Sequence, residues 1–132
     1  MMALKKQNIG NFRELNVYRK ALIFNKQMNT LIDSFPAYEK NNLSDQLRRA
    51  STSVCANLAE GCGNYYYKKE FDRLNTAIGS LCECRAFLDI ATMLGHLERE
   101  EYHELDGEAE EILKMLIGMA KRIEKILEED AS

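Results

Sequence analysis

Apolar side chains recur every three or four residues along four long stretches of this chain, and this spacing constrains the fold more than any other feature. The last stretch is the most regular, with apolar residues at Tyr102, Leu105, Ala109, Ile112, Leu116, Met119, Ile123 and Ile126. A helix with this spacing carries an apolar stripe on one face, which must be buried against other helices. We therefore predict four helices, over residues 12–34, 38–60, 68–94 and 98–128.

The residues between these stretches are typical of helix ends. Pro36 follows the first stretch and disfavours the helical conformation in the residue before it. Glycines follow the second and third stretches, where they can adopt the left-handed conformation of a helix C-terminus; they are Gly61, Gly63 and Gly95. The connections are short, which favours antiparallel neighbours. The predicted fold class is all-α, an antiparallel up-down-up-down four-helix bundle formed by a single domain over residues 1–132.

The composition excludes several other classes of protein. The chain has 45% hydrophobic and 30% charged residues with one proline, which is typical of folded rather than disordered chains. No uncharged run approaches the roughly 18 residues of a membrane-spanning helix. The first ten residues contain lysines without an apolar stretch after them. We therefore expect no signal peptide, no membrane association and a cytoplasmic protein.

Two of the predicted helices carry more apolar residues than one core can use. The extra residues lie beside the main stripes, at Phe87, Ile90 and Met93 in the third helix and at Leu113, Ile117 and Ala120 in the fourth. A helix that is apolar on two sides must be buried on two sides. We therefore predict that the protein associates with itself.

The residue types that most often carry catalysis or metal binding are not arranged for either. The chain has four cysteines, Cys55, Cys62, Cys82 and Cys84. They lack the paired spacing of zinc ligands, so we interpret them as reduced core residues. Glu100 and His103 form one Glu-x-x-His motif, whereas a di-iron bundle needs two. We expect no catalytic residues, no metal site and no cofactor, and therefore a protein that is not an enzyme.

A polar stripe runs along the second predicted helix beside its apolar one. Its residues are spaced by three or four, at Gln46, Arg49, Ser53, Asn57 and Glu60. One explanation is a solvated helix face. The other is a hydrogen-bonded seam between subunits, because uncharged polar residues are less natural than lysine and glutamate on an open helix face. We favour the seam, with Arg49 and Glu60 as its charged ends.

Several segments together resemble one known family. They are residues 12–21 (FRELNVYRKA), 35–61 (FPAYEKNNLSDQLRRASTSVCANLAEG), 68–83 (KKEFDRLNTAIGSLCE) and 112–123 (ILKMLIGMAKRI). Their sequence and order are similar to those of the bacterial four-helix bundle proteins encoded in intervening sequences of 23S rRNA genes. The resemblance implies a bundle that assembles as a ring-like homopentamer. It also implies a fold similar to that of the accessory protein of diversity-generating retroelements, which engages nucleic acid and a reverse transcriptase.

An accessory role with RNA or DNA, without catalysis, is the first of two functions that fit this resemblance. Residues 1–73 carry twelve Lys or Arg and seven Asp or Glu, although the sequence pI of about 5.5 is low for a nucleic-acid binder. Cations and aromatic residues gather near the turn between the second and third predicted helices. The candidate contacts are Arg48, Lys68, Lys69, Arg73, Tyr65 and Tyr66, with Tyr67 beside them. Tyrosine rings can stack on unpaired bases while cations contact phosphates.

The second function is that of a structural oligomer that recruits another protein and does not bind nucleic acid. The additional apolar stripes fit it equally well. The acidic fourth helix fits it too, since residues 98–111 contain eight acidic residues and one arginine.

Overall fold

Four long helices make up the chain in the computed structural model, which describes residues 3–131. They are α1 (Asn16–Asp33), α2 (Leu43–Cys62), α3 (Tyr67–Met93) and α4 (Arg99–Ala131). The predicted all-α class is therefore confirmed. Within residues 3–131, none of the helices is both long and apolar enough to cross a membrane.

Two helices begin later than the apolar spacing predicts. The first begins at Asn16 instead of residue 12, because Phe12–Glu14 forms a separate 3-10 turn and Leu15 is extended. The second begins at Leu43 instead of residue 38. Pro36 is extended there, and a further 3-10 turn follows it at Ala37–Glu39. In both places a tight 3-10 turn precedes the helix without joining it.

The predicted helix stop at Gly95 is correct, whereas the reason given for the glycines after α2 is wrong. Gly95 has a φ of +79°, the left-handed conformation that favours glycine. Gly63 instead caps α2 with a φ of −81°, which any residue can adopt. Gly61 lies inside α2, where an added Cβ would stand 3.2 Å from the Cβ of Arg73. The absence of a side chain at Gly61 therefore allows α2 and α3 to approach closely.

One apolar core runs between the four helices. Its largest fully buried side chains include Met28, Leu47, Leu81, Leu88 and Leu116. Each comes from an apolar stripe of the kind that the sequence predicts. Ionisable side chains support the core at its two ends, where Lys6, Glu39 and Glu70 are also buried.

Some residues of the second apolar stripes are buried in this same core or pack against it. Phe87 and Leu113 pack against it, and Ala120 is buried in it. The prediction that all six extra residues lie outside the core is therefore wrong for these three. The remaining extra residues, Ile90, Met93 and Ile117, are exposed.

Polar contacts between the helices show the direction in which α3 runs relative to α2 and α4. Ser53 and Glu60 of α2 contact Ser80 and Arg73 of α3, respectively. Similarly, Asp89 of α3 contacts Tyr102 of α4, and Arg85 of α3 contacts Asp106 of α4. In each pair of helices, residue numbers rise along one helix as they fall along the other. Both α2 and α4 therefore run antiparallel to α3.

Candidate nucleic-acid interface

Two exposed tyrosine rings lie at the turn between α2 and α3. Tyr65 is 46% exposed and Tyr66 is 36% exposed. Their ring centroids are 5.8 Å apart in an edge-to-face arrangement. Aromatic rings that are held against each other while still open to solvent offer a rigid platform for a flat ligand.

The N-terminal segment pairs with this turn and brings a further lysine to it. The Lys6 amide donates to the Tyr65 carbonyl at 2.9 Å, and the Tyr67 amide donates to the Leu4 carbonyl at 3.2 Å. This pairing places the Lys5 ammonium 5.8 and 6.0 Å from the ring centroids of Tyr65 and Tyr66. We call Lys5, Tyr65, Tyr66, Lys68 and Lys69 the basic corner.

A surface cavity of about 380 Å³ opens at the basic corner. It is lined by Ala3, Lys5, Tyr66, Lys68 and Lys69. The Lys68 ammonium lies 3.0 Å from the Asp72 carboxylate, whereas Lys69 makes no ion pair with any described residue. The cavity therefore combines an aromatic wall with cationic side chains, a pairing that suits an unpaired base and its phosphate.

A buried lysine holds the N-terminal segment in place. The Lys6 Nζ atom lies 2.8 Å from the Glu70 Oε1 atom, and both side chains are less than a tenth exposed. The same ammonium donates to the carbonyls of Gly61 and Cys62 at 3.2 and 3.3 Å. These carbonyls are at the C-terminal end of α2, where the helix dipole favours a cation. Lys6 thus joins the N-terminal segment, α2 and α3 at one point.

The structure does not bring all of the predicted contact residues to this corner. Arg48 is in the second turn of α2, roughly 20 Å along the helix axis from Cys62 at 1.5 Å per residue. Arg73 lies next to the corner, but its guanidinium is 3.2 Å from the Glu60 carboxylate. Tyr67 is half-buried against Lys6 instead of open to solvent. The structure therefore brings Tyr65, Tyr66, Lys68 and Lys69 together and leaves Arg48 apart from them.

The polar stripe of α2 makes its hydrogen bonds and ion pairs within this chain. Ser53 and Ser80 share a hydrogen bond of 2.8 Å across α2 and α3. The Asn57 amide donates to the carbonyl and the hydroxyl of Ser53. At the N-terminal end of the stripe, Gln46 donates to Asn42 and the Arg49 guanidinium pairs with Asp45. At its other end, the Glu60 carboxylate pairs with Arg73.

A shallow groove follows this stripe along the α2–α3 surface. Its volume is about 240 Å³, and its lining residues are Gln46, Arg49, Ala50, Ser53, Ser80 and Glu83. Asn57 and Ser53 are half-buried within the isolated chain. The stripe is thus neither a fully solvated face nor a buried one, and the seam between subunits stays a prediction.

Three of the four cysteines are buried, and Cys82 is exposed. The interpretation of all four as core residues is therefore wrong for Cys82, which lies on the opposite side of α3 from Cys84. Burial raises the pKa of Cys55 to about 11 and that of Cys84 to about 12, and it also raises the pKa of Cys62. Buried thiols with raised pKa values are poor nucleophiles and metal ligands. Within residues 3–131, no three His, Cys, Asp or Glu side chains are grouped to hold a metal ion.

The comparisons with known proteins identify a family without a defined activity. The sequence model of the family described as 23S rRNA-intervening sequence protein matches residues 13–118. A crystal structure from Bacteroides thetaiotaomicron, described as a protein with unknown function from the S23 ribosomal protein family, is 26% identical to this chain. Its TM-score is 0.75, and the match covers 80% of this chain and 95% of that one. No curated protein matches the chain.

Proposed function

Because this chain belongs to the 23S rRNA-intervening sequence protein family, we propose that it is a non-enzymatic, self-associating bundle that binds unpaired RNA or DNA at its basic corner. The observation that carries the proposal is the pair of exposed rings, Tyr65 and Tyr66, with Lys5 beside both. Every base offers a flat face to an aromatic ring, so such a site binds single strands with little sequence preference.

The charges of the corner support the proposal. Lys68 and Lys69 lie in the first turn of α3, where the helix dipole disfavours cations and favours anions. A cation in this place costs helix stability unless an anion approaches it. Asp72 already does so for Lys68, whereas Lys69 makes no ion pair with any residue of the described range 3–131. A phosphate contacting these two lysines and Lys5 would remove that cost and would place its base next to Tyr66.

Binding to a single-stranded oligonucleotide should fall steeply as salt is added. Three phosphate contacts on a single strand give a salt slope of about −2, so the affinity should fall roughly 20-fold between 50 and 200 mM salt. Replacing both tyrosines, Tyr65→Ala with Tyr66→Ala, should weaken binding at least roughly tenfold through lost stacking. Fluorescence anisotropy with a labelled oligonucleotide measures both effects.

The matched control for this measurement is Arg48→Ala, because it removes one exposed cation roughly 20 Å from the corner along α2. Lys69→Ala should reduce the slope by about 0.7, whereas Arg48→Ala should leave it unchanged. Equal losses for the two variants would mean that the overall charge is responsible and the corner is not. Absence of binding at 50 mM salt would contradict the proposal.

Self-association is supported by the apolar side chains that the single chain leaves exposed. Met93 is 88% exposed, with Leu94 and Ile90 beside it at the end of α3. Exposed apolar groups on neighbouring turns are typical of surfaces that bind another protein molecule. We propose a homo-oligomer, with the pentamer implied by the resemblance as its form and the polar stripe of α2 within its interface.

Asn57→Ala tests the place of the polar stripe. If the stripe is a seam between subunits, the change leaves hydrogen-bonding groups unpaired in every interface, at about 1–3 kcal/mol each. We expect a lower oligomer mass by sedimentation and a lower melting temperature. Asn75→Ala is the control, because Asn75 is an exposed asparagine of α3. An unchanged mass with an equal or higher melting temperature would place the stripe in solvent, since alanine is the better helix former.

The second candidate function is an oligomer that recruits another protein and does not bind nucleic acid. The observation that favours it is the exposed apolar group around Met93, which has no cations near it in sequence. The salt-dependent binding measurement distinguishes the two functions. An oligomer of normal mass that binds no oligonucleotide at 50 mM salt would favour the second.

A further inference from the structure

A groove of about 390 Å³ lies between α1 and the first half of α4, well away from the basic corner. Its lining residues are Ile23, Lys26, Gln27, Thr30, Leu31, Glu101, Glu104 and Leu105. We propose that this groove is a docking site for a basic amphipathic helix of another protein. The proposal is independent of nucleic-acid binding, because no residue of the basic corner lines the groove.

The floor of the groove is apolar and partly open. Leu31 and Leu105 are buried beneath it, whereas Ile23 is 56% exposed at its edge. Leu22, which is next to Ile23 in α1, is 45% exposed. An amphipathic helix lays its apolar residues into a groove of this kind, and burial of Ile23 supplies part of the free energy of docking.

The polar groups of the groove are mostly unpaired acceptors. The Gln27 Oε1 atom is buried and has no hydrogen-bond partner among residues 3–131. Glu101 and Glu104 are exposed on the opposite wall and make no ion pair with any described residue. Lys26 is the single cation among the lining residues. A ligand that supplies positive charge would pair with the two exposed carboxylates of Glu101 and Glu104.

The charges around the groove also favour a positively charged partner. Lys20 at one end is already paired with Glu111 at 2.8 Å, so it does not offset the carboxylates nearby. Residues 98–111 of α4 and its approach carry eight acidic residues and one arginine. An excess of carboxylates attracts and orients a cationic partner and repels an acidic one.

A second copy of this chain fits the groove less well than a separate basic helix. The exposed arginines of α2, Arg48 and Arg49, have no large exposed apolar side chain on their helix. The exposed group around Met93 has Asp89 beside it instead of a cation. Ile117, between Lys114 and Lys121 in α4, is only 37% exposed. A single half-exposed side chain leaves most of the apolar floor uncovered.

Two synthetic 18-residue peptides test the groove directly. Both carry leucines at positions i, i+3, i+4 and i+7, one with flanking arginines and the other with glutamates in their place. With fluorescence anisotropy at 50 mM salt, we expect the basic peptide to bind at least roughly tenfold more tightly than the acidic one. Equal affinities, or no binding of the basic peptide, would overturn the proposal.

Paired variants then locate the peptide. Glu101→Gln with Glu104→Gln should weaken binding of the basic peptide roughly five- to tenfold. Glu100→Gln with Glu124→Gln removes the same charge from exposed positions of α4 outside the groove lining and should change the affinity less than twofold. Equal losses in the two pairs would show diffuse attraction and overturn the proposal.

A last variant separates a foreign helix from a second copy. Ile23→Arg should abolish peptide binding, because it removes the exposed apolar edge and places a like charge beside the basic peptide. It should leave the oligomer mass and oligonucleotide binding unchanged. A lower oligomer mass for Ile23→Arg would mean that a second copy occupies the groove, which overturns the assignment to another protein.

Discussion

Lys6→Met should lower the melting temperature by roughly 10–20 °C. The change leaves the Glu70 carboxylate buried without its cation, and breaking one side of a buried ion pair costs about 3–5 kcal/mol. In a domain of this size, each kcal/mol corresponds to about 3–5 °C. The carbonyls of Gly61 and Cys62 also lose their donor, which adds to the loss. Thermal unfolding followed by circular dichroism measures the effect.

Two further variants separate the buried pair from a general loss of charge. Lys5→Met removes a lysine from the neighbouring exposed position, and we expect it to change the free energy of unfolding by less than about 0.5 kcal/mol. Lys6→Met with Glu70→Leu replaces both charges by apolar groups, so it should regain most of the lost stability. If Lys6→Met unfolds at the parental temperature, the Lys6–Glu70 contact contributes nothing to the fold.

The same lysine links stability to the basic corner. Lys6 anchors the segment whose pairing with Tyr65 and Tyr67 brings Lys5 over the two exposed rings. Loss of the anchor would therefore weaken oligonucleotide binding even at temperatures where the helices remain folded. A residue distant from the proposed ligand can act on binding in this way because it holds the residues that touch the ligand.

The helices could be predicted from the sequence because their signals are local. Apolar spacing and Gly95 depend on neighbours within one or two turns, so they need no knowledge of the tertiary structure. The starts of α1 and α2 were harder to place. Separate 3-10 turns precede both helices. In the second turn Glu39 is buried because it contacts His96, in the connection before α4, and the sequence has no local signal for that contact.

The candidate site could be predicted only where its residues are adjacent in sequence. Tyr65, Tyr66, Lys68 and Lys69 lie together for that reason. Lys5 reaches them from about 60 positions earlier through a backbone pairing that has no pattern of its own in the sequence. Arg48 was misplaced because a cation on the same helix was treated as near the turn, although each residue of a helix adds 1.5 Å.

His96→Leu should lower the melting temperature by roughly 10 °C or more. The His96 Nε2 atom lies 2.9 Å from the Glu39 Oε2 atom, and both side chains are 5% exposed. This contact joins the connection before α2 to the connection before α4. Without the imidazole, the buried carboxylate keeps, among the residues that the structure describes, only a long hydrogen bond of 3.4 Å from Asn42. An unpaired buried charge costs about 3 kcal/mol or more. Thermal unfolding again gives the measurement.

The other histidine of the chain provides the control for this change. His103 is exposed in α4, so His103→Leu should shift the free energy of unfolding by no more than about 0.5 kcal/mol. A double-mutant cycle with Glu39→Leu should give a coupling energy of about 2–3 kcal/mol between His96 and Glu39. A coupling near zero would mean that the two side chains are close without stabilising each other.

The double variant of Lys6→Met and His96→Leu tests whether the contacts at the two ends of the bundle stabilise it independently. Lys6 lies at the C-terminal end of α2 and Glu39 precedes its N-terminal end, about 30 Å apart along a helix of 20 residues. Contacts at that distance without shared partners add to within about 0.5 kcal/mol. Lys6→Met with His96→Leu should therefore lose the sum of the two single effects. A combined loss much smaller than the sum would mean that release of either end already frees the other, and that the two contacts stabilise one cooperative unit instead of two ends.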